Sequence, residues 1–128
     1  MNGYGFLKEL DLSFDDTVKK VTAELKKEGF GVLTSIDLKD KFKEKLGVDY
    51  RRYVILGACN PPFALKSIEA EETIGLLLPC NVIVYEKGDK TAVGIIRPGA
   101  AMGMIDNDEL KSISVQVEEK LQRVFEAL

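Results

Sequence analysis

The stretch from Tyr53 to Tyr85, YVILGACNPPFALKSIEAEETIGLLLPCNVIVY, holds both cysteines and three of the four prolines of the chain. It opens on a near-continuous apolar run, Tyr53-Val54-Ile55-Leu56, which reads as a central strand buried on both faces, spanning about Arg51 to Cys59. It closes on a further strand pattern, Asn81 to Glu86. Between them Asn60 stands before Pro61, a good helix start: asparagine caps, and proline in the first turn gives up only an amide that has no partner there. That helix carries Phe63, Leu65 and Ile68. Each cysteine therefore sits where an apolar run meets a chain breaker, Cys59 before Asn60-Pro61-Pro62 and Cys80 after Pro79.

Working outward, Tyr4 to Leu12 alternates in part and reads as a half-buried strand. Ser13 then caps a helix with Asp15 and Asp16 in its first turn, where the helix dipole favours negative charge, and Phe14, Val18, Val21 and Leu25 form its apolar stripe up to Gly29. Gly31 to Ile36 is a strand, and Asp37 caps a short helix bearing Leu38, Phe42 and Leu46 that stops at Gly47. Asn81–Glu86 and Thr91–Ile96 form a hairpin across the link Lys87-Gly88-Asp89-Lys90. After the small-residue connector Ala100 to Gly103, Asp106 and Glu109 form a capping-box pattern. The helix it opens buries Leu110, Ile113, Val117, Leu121, Val124 and Leu128. The order β-α-β-α-β-α-β-β-α, with no repeat or linker, implies a single α+β domain over residues 1–128: a mixed sheet of about five strands packed against helices.

At 128 residues one core is sufficient, enough to bury roughly 65% of the unfolded surface. Formal net charge is -3 with lysines scattered among acids, so no basic stripe is available to neutralise phosphates, and nucleic acid is not an expected partner. The longest apolar stretch, about Ile74 to Leu78, is far short of the ~20 residues that span a bilayer. No membrane association is expected, and with two cysteines and no secretory leader pattern the chain reads as cytoplasmic with free thiols.

The chain contains no histidine, which removes Ser-His-Asp and Cys-His pairs, imidazole acid/base chemistry and His-based zinc sites. No glycine-rich phosphate loop is present either. Cys59 is the best single candidate, since the start of the next helix would favour a thiolate; the plainer alternative is a small buried hydrophobe at a strand end. Cys80 is its natural partner if the two strands are neighbours. A four-sulfur zinc or iron–sulfur site would need the cysteines of two subunits, and neither a metal set nor a cofactor is assigned. Acid pairs such as Glu71-Glu72 are better explained as helix-start charges. Arg97, at the end of an apolar strand, could hold a carboxylate or phosphate with its planar fork, or form an ion pair.

The segments Gly57-Ala58-Cys59-Asn60-Pro61, Ile74-Gly75-Leu76-Leu77-Leu78-Pro79-Cys80-Asn81, Arg97-Pro98 and Met104 to Leu110 resemble the uncharacterised bacterial and archaeal family called domain of unknown function 302. The resemblance spans essentially the whole chain and implies an α+β domain that forms homodimers; it brings no reaction or catalytic residue. Three readings follow. The first is a domain binding a small-molecule ligand or a partner through Cys59, Asn60, Cys80, Asn81 and Arg97. The second is a thiol-based redox or sulfur-handling protein using Cys59 and Cys80. The third is a structural dimerisation module, in which glycine serves close approach and Asn-Pro-Pro serves a helix start.

Overall fold

A computed structural model describes residues 3–128. Strands β1 (Gly5–Leu10), β2 (Gly31–Asp37), β3 (Tyr53–Cys59), β4 (Cys80–Lys87) and β5 (Lys90–Ile96) form one sheet in the order β1-β5-β4-β3-β2. Helices α1 (Phe14–Lys27), α2 (Leu38–Leu46), α3 (Pro61–Ala70), α4 (Pro98–Ala101) and α5 (Asp108–Glu126) alternate with them, with 3-10 turns over Glu72–Leu77 and Met102–Met104.

All four strand pairings are antiparallel, so the sheet expected to be mixed contains no parallel pair. The helical connections β2-α2-β3 and β3-α3-β4 join strands adjacent in the sheet. Each acts as a long hairpin link, returning the chain at the end it left rather than crossing the sheet as a βαβ unit does.

Local chemistry sets the helix starts. Ser13 accepts a hydrogen bond from the Asp16 amide at 3.1 Å, and Asp37 accepts from the Asp40 amide at 3.1 Å. Gly47 closes α2 in the left-handed region at φ 66°. The last helix departs from expectation. Its cap is Asn107, whose Oδ1 accepts from the Leu110 amide at 3.0 Å, not Asp106. Asn107 wins because its Nδ2 also donates to the Ala70 carbonyl at 2.8 Å and to Glu71 Oε1 at 3.1 Å, a tertiary tie that an aspartate cannot make. The hairpin is tighter than expected as well: Lys87 pairs with Lys90, leaving Gly88-Asp89 as the turn, with Gly88 at φ 62°. Part of the small-residue connector winds into α4.

The core lies between α1, α5 and one face of the sheet. Phe6, Val54, Leu56, Val82, Val84, Val93 and Ile95 point inward at period two and meet Val21, Leu25, Ile113, Val117, Leu121 and Val124. The other face of the central strands is not sealed by helices, contrary to the double burial expected of β3. Tyr53 and Ile55 are only half-buried, whereas Val54 and Leu56 are buried. Their cover on that side comes from neighbours in the sheet itself, including the stacked Tyr53–Tyr85 pair with ring centroids 5.1 Å apart.

Candidate functional site

The end of the sheet where β3 leaves and β4 enters is walled by α3 on one side and α5 on the other. Gly57 makes this junction tight. A Cβ there would stand 2.1 Å from Thr34 Oγ1 and 2.7 Å from Pro79 Cγ, so only glycine lets β2 and the Pro79 turn close in together. Ala58 pairs with Cys80 across the β3–β4 ladder, which brings Cys59 and Cys80 to the same end of adjacent strands.

Behind this junction lies a cavity of about 310 Å³. Cys59, Asn60 and Cys80 border it, and Phe30, Phe63, Met102, Ile113 and Val117 supply much of its apolar wall. No charged side chain lines it. Cys80 is buried and Cys59 half-buried, and both are free thiols. Burial pushes the Cys80 thiol up to about 11, with the neighbouring Cys59 thiol as a smaller cause. Cys80 is therefore a neutral, poorly nucleophilic group near neutral pH.

Asn60 precedes α3 as expected but makes no side-chain cap. Its Nδ2 instead donates to the Glu28 carbonyl at 3.2 Å, reaching across to the end of α1. Gly29, at φ 85°, permits this: a Cβ at Gly29 would stand 3.0 Å from that nitrogen. The chain thus fixes which way the amide faces, because a carbonyl partner can receive only its nitrogen.

Of the five residues singled out in the sequence, three meet at this cavity. Asn81 does not: the alternation that turns Cys80 inward turns Asn81 out, where it borders a shallow depression on the uncovered sheet face. Arg97 stands apart too. Its Nη2 lies 3.3 Å from Glu118 Oε2, while Glu118 Oε1 accepts from the Gly99 amide at 3.0 Å, so the fork already faces a carboxylate from α5. Pro98, not Arg97, reaches the cavity wall. Sequence reasoning missed Phe30, Met102, Ile113 and Val117 as lining residues, and no pattern could have marked them, since a wall of a cavity and a wall of a core use the same side chains. Among the described residues no group of three or more Cys, Asp or Glu is clustered to hold a metal ion. No described helix is long and apolar enough to cross a membrane.

The family described as Domain of unknown function DUF302 matches residues 6–128. The chain belongs to this family. A solved relative from it, the crystal structure of the uncharacterized conserved protein DUF302 from Bacillus stearothermophilus, is 30% identical and superposes with a TM-score of 0.89 over 96% of each chain. No curated protein matches the chain. Membership in the DUF302 family fixes the fold and leaves the chemistry to be argued from the residues.

Proposed function

We propose that this DUF302 domain is a small-molecule binding protein whose site is the cavity bordered by Cys59, Asn60 and Cys80. The observation that carries the reading is the cavity itself. At about 310 Å³ it falls within the size range of ligand pockets, it is bounded by side chains from both helices and the sheet end, and its wall is apolar with a few polar groups. The thiol-based alternative draws less support, because burial of Cys80 opposes the thiolate that redox chemistry or metal ligation requires. We further read the chain as cytoplasmic, the setting that keeps two unpaired thiols reduced.

A methyl-detected NMR titration with naphthalene tests the reading. Shifts clustered at Ala58, Ala64, Ile113 and Val117, and lost in Ala64→Phe, are the expected result. Shifts absent at saturation would remove the cavity as a site.

A second feature favours self-association as well. The uncovered sheet face presents Leu7 (40% exposed) and Ile36 (43% exposed) beside half-buried Tyr53, Ile55, Ile83 and Tyr85. We read this face as the contact of a homodimer, in line with the resemblance to the family.

A further inference from the structure

The polar groups around the cavity fix what kind of molecule it would take. We infer that the ligand is an uncharged, largely apolar molecule carrying one hydrogen-bond donor, and that this donor is received by Asn60 Oδ1. The inference rests on the reading of the cavity as a binding site and deepens it.

Asn60 is nine-tenths buried, at 9% exposure, and borders the cavity. Its nitrogen donates to the Glu28 carbonyl at 3.2 Å, which sets the orientation of the amide and leaves Oδ1 as its acceptor. That oxygen accepts no hydrogen bond from the described residues: the helix behind it takes no cap from the side chain. Oδ1 is not fully buried, because among the described residues Arg97 Nε alone is a buried side-chain nitrogen or oxygen without a partner, so the oxygen stays open to a donor carried by a molecule in the cavity that Asn60 borders.

Two serines on the cavity wall point to the same polarity of ligand. Ser67 Oγ donates to the Phe63 carbonyl at 2.7 Å, and Ser114 Oγ donates to the Lys111 carbonyl at 2.9 Å. Their protons are spent within their own helices, so the serines offer lone pairs to the cavity and no free donor. An entering carboxylate or phosphate would find no cation and an ammonium no anion, since the spare donors on the wall are the neutral Thr34 hydroxyl and the two thiols. Either charge would be stranded among Phe63, Met102, Ile113 and Val117.

Size narrows the class further. An apolar cavity of ~150 Å³ accepts benzene. The volume here, about 310 Å³, is twice that and corresponds to roughly twelve heavy atoms, a fused bicyclic or medium-chain molecule. A phenol or alcohol of that size fits both the volume and the Asn60 acceptor.

Three probes of matched shape test the inference: 2-naphthol, naphthalene and 2-naphthoate, titrated against the full chain by calorimetry and methyl NMR. The expected result is a preference of roughly fivefold to tenfold for 2-naphthol over naphthalene, the usual worth of one hydrogen bond, with no binding of the naphthoate anion. In Asn60→Leu the preference should vanish while naphthalene still binds. Equal affinity for 2-naphthol and naphthalene in the native chain overturns the donor assignment and leaves the cavity reading standing. Failure of all three probes overturns both. A preference that survives in Asn60→Leu would show that another acceptor receives the donor, and tight naphthoate binding would overturn the exclusion of charge. Should Asn60→Leu fold poorly, the native selectivity series decides alone, and Ala64→Phe, which narrows the cavity from α3, should abolish binding of both neutral probes.

Discussion

Cys80 couples the cavity to alkaline stability. Its thiol is pushed from an ordinary 9.0 to about 11, mainly by burial. Between those values the unfolded chain releases the proton while the folded chain keeps it, so the unfolded state binds fewer protons and stability falls as pH rises. Below pH 9 the contribution is constant; through pH 9 to 11 about 2–3 kcal/mol should be lost through this residue. Burial also raises the Tyr53 phenol, which adds a loss of the same sign. Denaturation midpoints of native and Cys80→Ala chains should therefore converge as pH climbs from 8 to 11, and parallel curves would show that Cys80 is not a buried neutral thiol. The same burial predicts that Cys59 alkylates faster than Cys80 in the folded protein. Peptide mapping after brief treatment with iodoacetamide reads the order directly, and faster labelling of Cys80 would refute it. Gly57 is the third residue with a sharp expectation. An alanine Cβ would collide with Thr34 Oγ1 and Pro79, so Gly57→Ala should cost about 2 kcal/mol, with part of the loss recovered in the Gly57→Ala/Thr34→Ala double variant.

Elements were legible where their signals are local. Ser13 and Asp37 cap the helices assigned to them because the acceptor and the amide it meets are three residues apart, a distance the sequence displays. The start of α5 was not legible to the residue. Asp106, Asn107 and Asp108 all have capping side chains, and the choice among them was made by Ala70 and Glu71, far away in the chain. Asn107→Ala should consequently destabilise by about 2 kcal/mol, more than the ~1 kcal/mol of an exposed cap such as Ser13→Ala, because it removes the cap and the tie to the end of α3 together. Urea midpoints of the two variants check the order, and equal losses would mean that the tertiary bonds contribute nothing. Asn60 failed in the opposite direction: its position before Pro61 looked like a cap, and the structure spends its amide on Glu28 instead. The cysteine segments were legible as a place, since chain breakers at both strand ends forced a junction there. Their cavity was not, because its walls come from α3 and α5, whose apolar stripes give no sign of where they stop touching each other.

At the scale of the whole molecule, the sheet has two faces and the helices of the core cover one. The sequence made β3 look buried on both sides, and it carries apolar residues for both: Val54 and Leu56 inward, Tyr53 and Ile55 outward. In the self-association reading another copy, instead of a helix, covers the second face, and nothing in a single chain would reveal that. Five strands at ~4.8 Å spacing and about seven residues long present roughly 500 Å² of projected face. Side-chain relief raises the accessible area above that, toward the ~800 Å² that each partner contributes to a stable interface. A twofold pairing would set Ile55, Ile83 and Tyr85 against their counterparts, with sheets ~10 Å apart as in a sandwich. Sedimentation equilibrium at micromolar concentration should accordingly give the mass of two chains. Ile83→Lys, which plants a charge in the middle of this face, should give a folded monomer with an unchanged circular dichroism spectrum. A monomer mass for the native chain would remove the self-association reading. A dimer that tolerates Ile83→Lys would place the contact elsewhere on the surface. Because Leu7, Ile36, Tyr53, Ile55, Ile83 and Tyr85 of this face do not line the cavity, the naphthalene titration should give the same affinity in Ile83→Lys as in the native chain.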